Sequence, residues 1–116
     1  MTVKNTRDNM FAGNRRVMHF TIRDEAAALL DLVGHTAVWK LARNNEAKSP
    51  VVLTKTSAAG DITFVAPTTL GELNLVLAEG ATTTLLGIYY WELELTNGSG
   101  YTNVVANGEL EIKKNL

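Results

Sequence analysis

Residues 87–100, GIYYWELELTNGSG, decide the fold. From Tyr89 onward the run alternates strictly: Tyr89, Trp91, Leu93 and Leu95 fall on one side, and Tyr90, Glu92 and Glu94 on the other. That period of two is the mark of a strand with one apolar face. Asn97-Gly98-Ser99-Gly100 then supplies a reversal, because Asn and Gly tolerate positive φ. The three adjacent aromatics admit two readings. They are either the buried corner of a small β-sandwich or a stacking platform, which needs Tyr90 and Tyr101 exposed on one sheet.

The same period extends outward in both directions. Met18, Phe20 and Ile22 share a face in 15–23, and Ala37, Trp39 and Leu41 share one in HTAVWKLAR. Between them, RDEAAALLDLVG is too short for a helix and reads as a turn at Asp24–Glu25 followed by an extended Leu29–Val33. Pro50 opens an edge-type segment, VVLTKT, because proline cannot donate to a ladder. A strand is expected over 61–66, closed by Pro67. In GELNLVLAEG, Leu73, Leu75 and Leu77 point inward, and the β-branched ATTTLLG allows one 3₁₀ turn. The last strand covers 101–113, with Ala106, Gly108, Leu110 and Ile112 inside. Seven or eight short strands with regular turn signals and no helix predict an all-β, Ig-like antiparallel β-sandwich. The domain is expected over 15–116, preceded by a flexible or weakly ordered N-terminal arm at 1–14; a loose first strand is the other reading of that segment.

Immunoglobulin-like sandwiches place a tyrosine near the start of one central strand, two residues before a core position, with its hydroxyl bonded to nearby backbone. Tyr89 has that place after Gly87, and Trp91 takes the core slot. Phe20 is the expected facing partner of Trp91, Trp39 the central-strand tryptophan, and Leu93 the next core residue. Tyr90 is left on the outer face, free for a partner. With Tyr101 and the basic doublet Arg15–Arg16, itself a solvated strand start, it makes up the candidate interaction surface. Lys40 on the neighbouring strand is expected to pair with Glu92 or Glu94.

Bulk properties narrow the function classes. The 116 residues are 46% hydrophobic and 20% charged, with 11 basic against 12 acidic side chains and a net charge of −1. Such a chain buries roughly 65% of its unfolded surface, enough for one core. The balance of charge argues against binding nucleic acid. Cysteine is absent, which excludes disulfides, thiolate metal sites and cysteine catalysis and favours assembly or action inside a reducing cytoplasm. No signal-peptide core or membrane-length apolar run occurs, so membrane insertion is not expected. His19 and His35 lack carboxylates at ligand spacing, so no metal is expected. Ser49, Ser57 and Ser99 lie in turn segments outside any nucleophile frame, and no glycine-rich phosphate loop is present. The expectation is a protein that is not an enzyme and holds no cofactor.

The order of these features resembles a known family, the Ig-like β-sandwich modules of phage tail and baseplate proteins, found at the N-terminus of baseplate upper and receptor-binding proteins. The resembling stretches are RRVMHFTIRDEAAALLDLVGHTAVWKLAR, GDITFVAP and above all LLGIYYWELELTNGSGYTNVVANGELEIKK, together about residues 15–114. In such modules a G-x-Y-Y-x-E-L strand is followed by a hairpin and a terminal G-x-L-x-I strand, which Gly108-Glu109-Leu110-Glu111-Ile112 matches. The resemblance implies a virion structural protein of a phage or prophage tail, made in the host cytoplasm, with other tail or baseplate proteins as partners and a homo-oligomer as its state. Because the chain stops at Leu116, just after the last strand, the expected role is an accessory or an adaptor for fibre attachment. Two alternatives stand beside it: a glycan- or receptor-binding module using Tyr90 and Tyr101, and a non-virion assembly factor.

Overall fold

In the computed structural model, which describes residues 5–44, 46 and 49–114, the alternation of 87–96 becomes the central strand of a five-stranded sheet. Among the described residues the strands are β1 (Asn5–Phe11), β2 (Arg16–Thr21), β3 (Thr36–Ala42), β4 (Val51–Thr56), β5 (Ile62–Phe64), β6 (Glu72–Leu77), β7 (Gly87–Thr96) and β8 (Thr102–Lys113). One sheet has the order β1-β8-β7-β3-β4 and the other β2-β6-β5. This is an all-β, Ig-like sandwich of eight strands. Its division of β2, β6 and β5 from β8, β7 and β3 is that of the immunoglobulin B, E and D strands facing G, F and C.

The inward faces are set by side chains two apart. Trp39 and Leu41 of β3, Tyr89, Trp91, Leu93 and Leu95 of β7, and Leu110 and Ile112 of β8 meet Leu73, Leu75 and Leu77 of β6 and Met18 of β2 in one buried cluster. Phe20, half-buried, stands edge-on to Trp91 with ring centroids 5.4 Å apart, and the Trp39 ring lies tilted 6.4 Å from that of Trp91. Stacking of this offset or edge type adds about 0.5–1.5 kcal/mol per pair beyond area burial. The Tyr89 hydroxyl donates to the Leu86 carbonyl at 3.2 Å, closing the corner at the entry to β7.

Several segments depart from the sequence reading. Residues 5–11, expected as part of an N-terminal arm, are strand β1, and residues 1–4 of that segment lie outside the described ones. β1 pairs with β8 in parallel, from Asn5 opposite Asn107 to Phe11 opposite Lys113, and among the described residues the other strand pairings are antiparallel. The extended run at Leu29–Val33 contributes only a single bridge, Arg23 to Leu29. The strand expected over 61–66 is limited to Ile62–Phe64. The 3₁₀ turn occurs at Thr68–Leu70, not in 81–87.

Gly71 ends that turn at φ 66 and knits three segments together. Its carbonyl accepts the Ile22 N–H at 2.8 Å, and the Ile22 carbonyl accepts the Leu30 N–H at 3.0 Å. A Cβ on Gly71 would lie 2.6 Å from the Ile22 carbonyl oxygen, so only glycine satisfies both the backbone angle and the close approach. In β8 the pairing shifts register: Leu93 faces Ala106 but Glu94 faces Val104. Val105 is the extra residue of a bulge, and both Val105 and Ala106 are buried.

Candidate interaction surface

The outer face of the five-stranded sheet carries the residues singled out for interaction. Tyr90 is half-buried there rather than free. It sits between Ala42 of β3 and Glu109 of β8, and lines a hollow of about 220 Å³ with Lys40, Asn44, Ser49, Val51 and Glu92. Lys40 is directly opposite Glu92, yet its Nζ reaches diagonally to Glu94 Oε1 at 3.3 Å. Such an exposed pair contributes about 0.2–1 kcal/mol. One wall is braced locally: the Asn44 N–H donates to Ser49 Oγ, and the Glu46 N–H to Asn44 Oδ1, each at 3.0 Å. An aromatic ring among an ammonium, carboxylates and an amide is equipped for polar recognition through stacking and hydrogen bonding.

The other expected residues lie elsewhere. Tyr101 is 70% exposed at the β7–β8 hairpin. Thr96, which faces Thr102, lies six residue steps along β7 from Tyr90, or roughly 20 Å. The two tyrosines therefore form no common platform. Arg15 is exposed ahead of β2. Arg16, inside β2, forms an ion pair with Asp8 of β1, tying an edge of one sheet to an edge of the other. Tyr89, far from being a platform residue, is buried under the Arg43 guanidinium, which stands 5.2 Å from its ring centroid. That cation–π contact is worth about 0.5–1 kcal/mol at an exposed site.

A second surface feature was not anticipated. Phe11, Leu86 and Ile88 are each about half exposed; Phe11 and Ile88 lie on the outer face at one end of this same sheet, and Leu86 immediately precedes β7. Phe11 faces Lys113 on one side of β8, and Ile88 faces Glu111 on the other. Phe11 and Ile88 are thus two strand spacings apart across β8 and two residues offset along it, about 12 Å, with Glu111 and Lys113 between them. For Phe11 and Ile88 the signal is an apolar residue on the outer phase of its strand, but the sequence leaves residues 1–14 open between an arm and a loose first strand, with no register to place Phe11. Beneath this end, the β1–β2 turn is held by fully buried Thr82, whose Oγ1 accepts the Gly13 N–H at 3.0 Å, and by the Gly80 N–H, which donates to the Gly13 carbonyl at 2.9 Å.

On the opposite, three-stranded sheet, His19 Nδ1 is 2.7 Å from Asn74 Oδ1 and Nε2 is 3.3 Å from Glu72 Oε1. Sequence spacing hid this carboxylate because it comes from β6. The two ring nitrogens point to different partners, and no group of three metal-ligating side chains occurs among the described residues. No described helix is long and apolar enough to cross a membrane. Comparison with protein-family models and with curated proteins finds no match.

Proposed function

We propose that this chain is a structural module of a phage or prophage virion, acting by docking to other tail or baseplate proteins as an accessory or fibre-attachment adaptor, and assembling as a homo-oligomer. The observation that most supports this reading is the pair of half-exposed apolar residues Phe11 and Ile88 on an outer sheet face, with half-exposed Leu86 just ahead of β7. Exposed apolar residues gathered at one place favour a protein contact, whereas single ones need no explanation. The resemblance of LLGIYYWELELTNGSGYTNVVANGELEIKK to tail and baseplate modules supplies the setting. Immunoelectron microscopy of purified particles with an antibody to this chain is expected to label the tail. Unlabelled particles, with the protein present in the infected lysate, would instead indicate an assembly factor.

A second reading follows from the hollow at Tyr90. Its ring beside Lys40, Asn44 and Glu92 suits a glycan, with Tyr90 stacking on the sugar face. A glycan array probed with the protein and with Tyr90→Ala separates the two readings: binding that the substitution abolishes favours the glycan, and no binding at all removes it. Tyr101, at the other end of β7, belongs to neither site.

A further inference from the structure

Two Asn-Gly steps occur in the chain, Asn97-Gly98 and Asn107-Gly108, and the fold treats them oppositely. Asn97 opens the β7–β8 hairpin. Its Oδ1 accepts the Ser99 N–H at 2.9 Å and the Tyr101 N–H at 3.1 Å, and Gly98 beside it is exposed. The turn is further closed by the Gly100 N–H donating to the Asn97 carbonyl at 3.0 Å. Asn107 and Gly108, in contrast, lie inside β8. Gly108 is buried, with Trp91 of β7 on one side and Thr6 of β1 on the other.

We propose that Asn97 is a site of spontaneous deamidation, with water as the only co-reactant. The Gly98 backbone nitrogen gives up its proton to solvent base and attacks Asn97 Cγ. The new C–N bond forms as the Cγ–Nδ2 bond breaks, and ammonia leaves with the proton returned from solvent, giving a succinimide. Water then cleaves one of the two imide C–N bonds, leaving aspartate or isoaspartate. The net change is one water consumed and one ammonia released, with no oxidation.

Three features favour the reaction at this position. Glycine after the asparagine leaves the attacking nitrogen unhindered and the backbone free to turn. In the tetrahedral intermediate, negative charge gathers on Oδ1, which already faces two backbone N–H donors, an arrangement that stabilises an oxyanion. The exposed hairpin also admits water without any opening of the sheet. At Asn107 the same attack requires Gly108 to leave a ladder bounded by strands on both sides, so its rate is reduced by the opening equilibrium. The products differ in effect. Aspartate keeps both acceptor bonds and adds a negative charge, whereas isoaspartate inserts a methylene into a hairpin that runs close to the Gly34 carbonyl.

Peptide mapping by mass spectrometry tests this, after incubation of the full chain at mildly alkaline pH in its native state and in urea. In the native protein, conversion at Asn97 is expected to exceed that at Asn107 by roughly tenfold or more. Unfolding should raise Asn107 to the rate of Asn97 and leave Asn97 no faster than before. Gly98→Ala should slow conversion at Asn97. Gly98 lacks a positive φ and its added Cβ would meet the Gly34 carbonyl oxygen at 4.0 Å, so the variant fits the native hairpin, which circular dichroism verifies. Equal native rates at the two sites, or a native Asn97 protected as strongly as Asn107, would overturn the proposal.

Discussion

β7 and β1 lie on either side of β8 in one sheet, yet they are held by different forces. β7 has ladders on both edges and puts four large side chains, Tyr89, Trp91, Leu93 and Leu95, into the core. β1 pairs only with β8 and, among the residues whose side chains are described, buries Met10. The central strand is specified by which side chains leave water; the edge strand is placed chiefly by its backbone ladder and by the Arg16–Asp8 contact. The first mechanism writes a period of two into the sequence. The second leaves almost no trace, because backbone groups are the same in every residue.

Substitutions of graded size sharpen that contrast. Trp91→Ala, in the middle of the aromatic stack, should cost about 3–5 kcal/mol and unfold the whole sandwich cooperatively, read from the urea midpoint followed by circular dichroism. Met10→Ala should cost about 2 kcal/mol, the low end for a buried methionine, and should act locally. Hydrogen exchange is expected to quicken at β1 amides and at the β8 amides that face them, with β7 keeping its protection. Equal acceleration in β7 would show that the two strands are not separable in this way. Smallest is Tyr89→Phe, which removes only the corner bond to the Leu86 carbonyl. About 1 kcal/mol or less is expected, a shift of roughly 4–8 °C or less in Tm for a domain near this size.

The contrast also explains what was legible beforehand. The sheet-forming alternations of β3, β6 and β7 were readable because each buries every second residue. The aromatic pair Phe20–Trp91 followed from placing both on inner faces. Polar contacts between strands distant in sequence were legible only in part: Lys40 pairs with one of its two expected carboxylates, whereas the partner of His19 gave no signal. His19 meets Glu72 across 53 positions, and Lys40 selects Glu94 diagonally over the directly opposed Glu92. Thr82 is buried against the β1–β2 turn, whose Gly13 N–H donates to its Oγ1, a contact across 69 positions with no local signal. The candidate surface suffered most: Tyr90 and Tyr101 were grouped by residue type, whereas their positions along β7 and its hairpin set them at opposite ends. The apolar group at Phe11 went unseen because it depends on β1 and β8 lying in register.

The bulge at Val105 divides β8 into two reading frames. From 106 onward the even-numbered residues Ala106, Gly108, Leu110 and Ile112 face the core; before it, Val104 shares the outer face with Glu94 and the inward phase passes to odd numbers. A one-residue deletion at Val105 would therefore leave both halves of the strand in register with β7, at the cost of one buried side chain. The same deletion at Asn107 or Gly108 would invert the parity of the buried half, putting Glu111 in the place of Leu110 and Lys113 in that of Ile112. Tolerance to length change along this strand is thus concentrated at a single position.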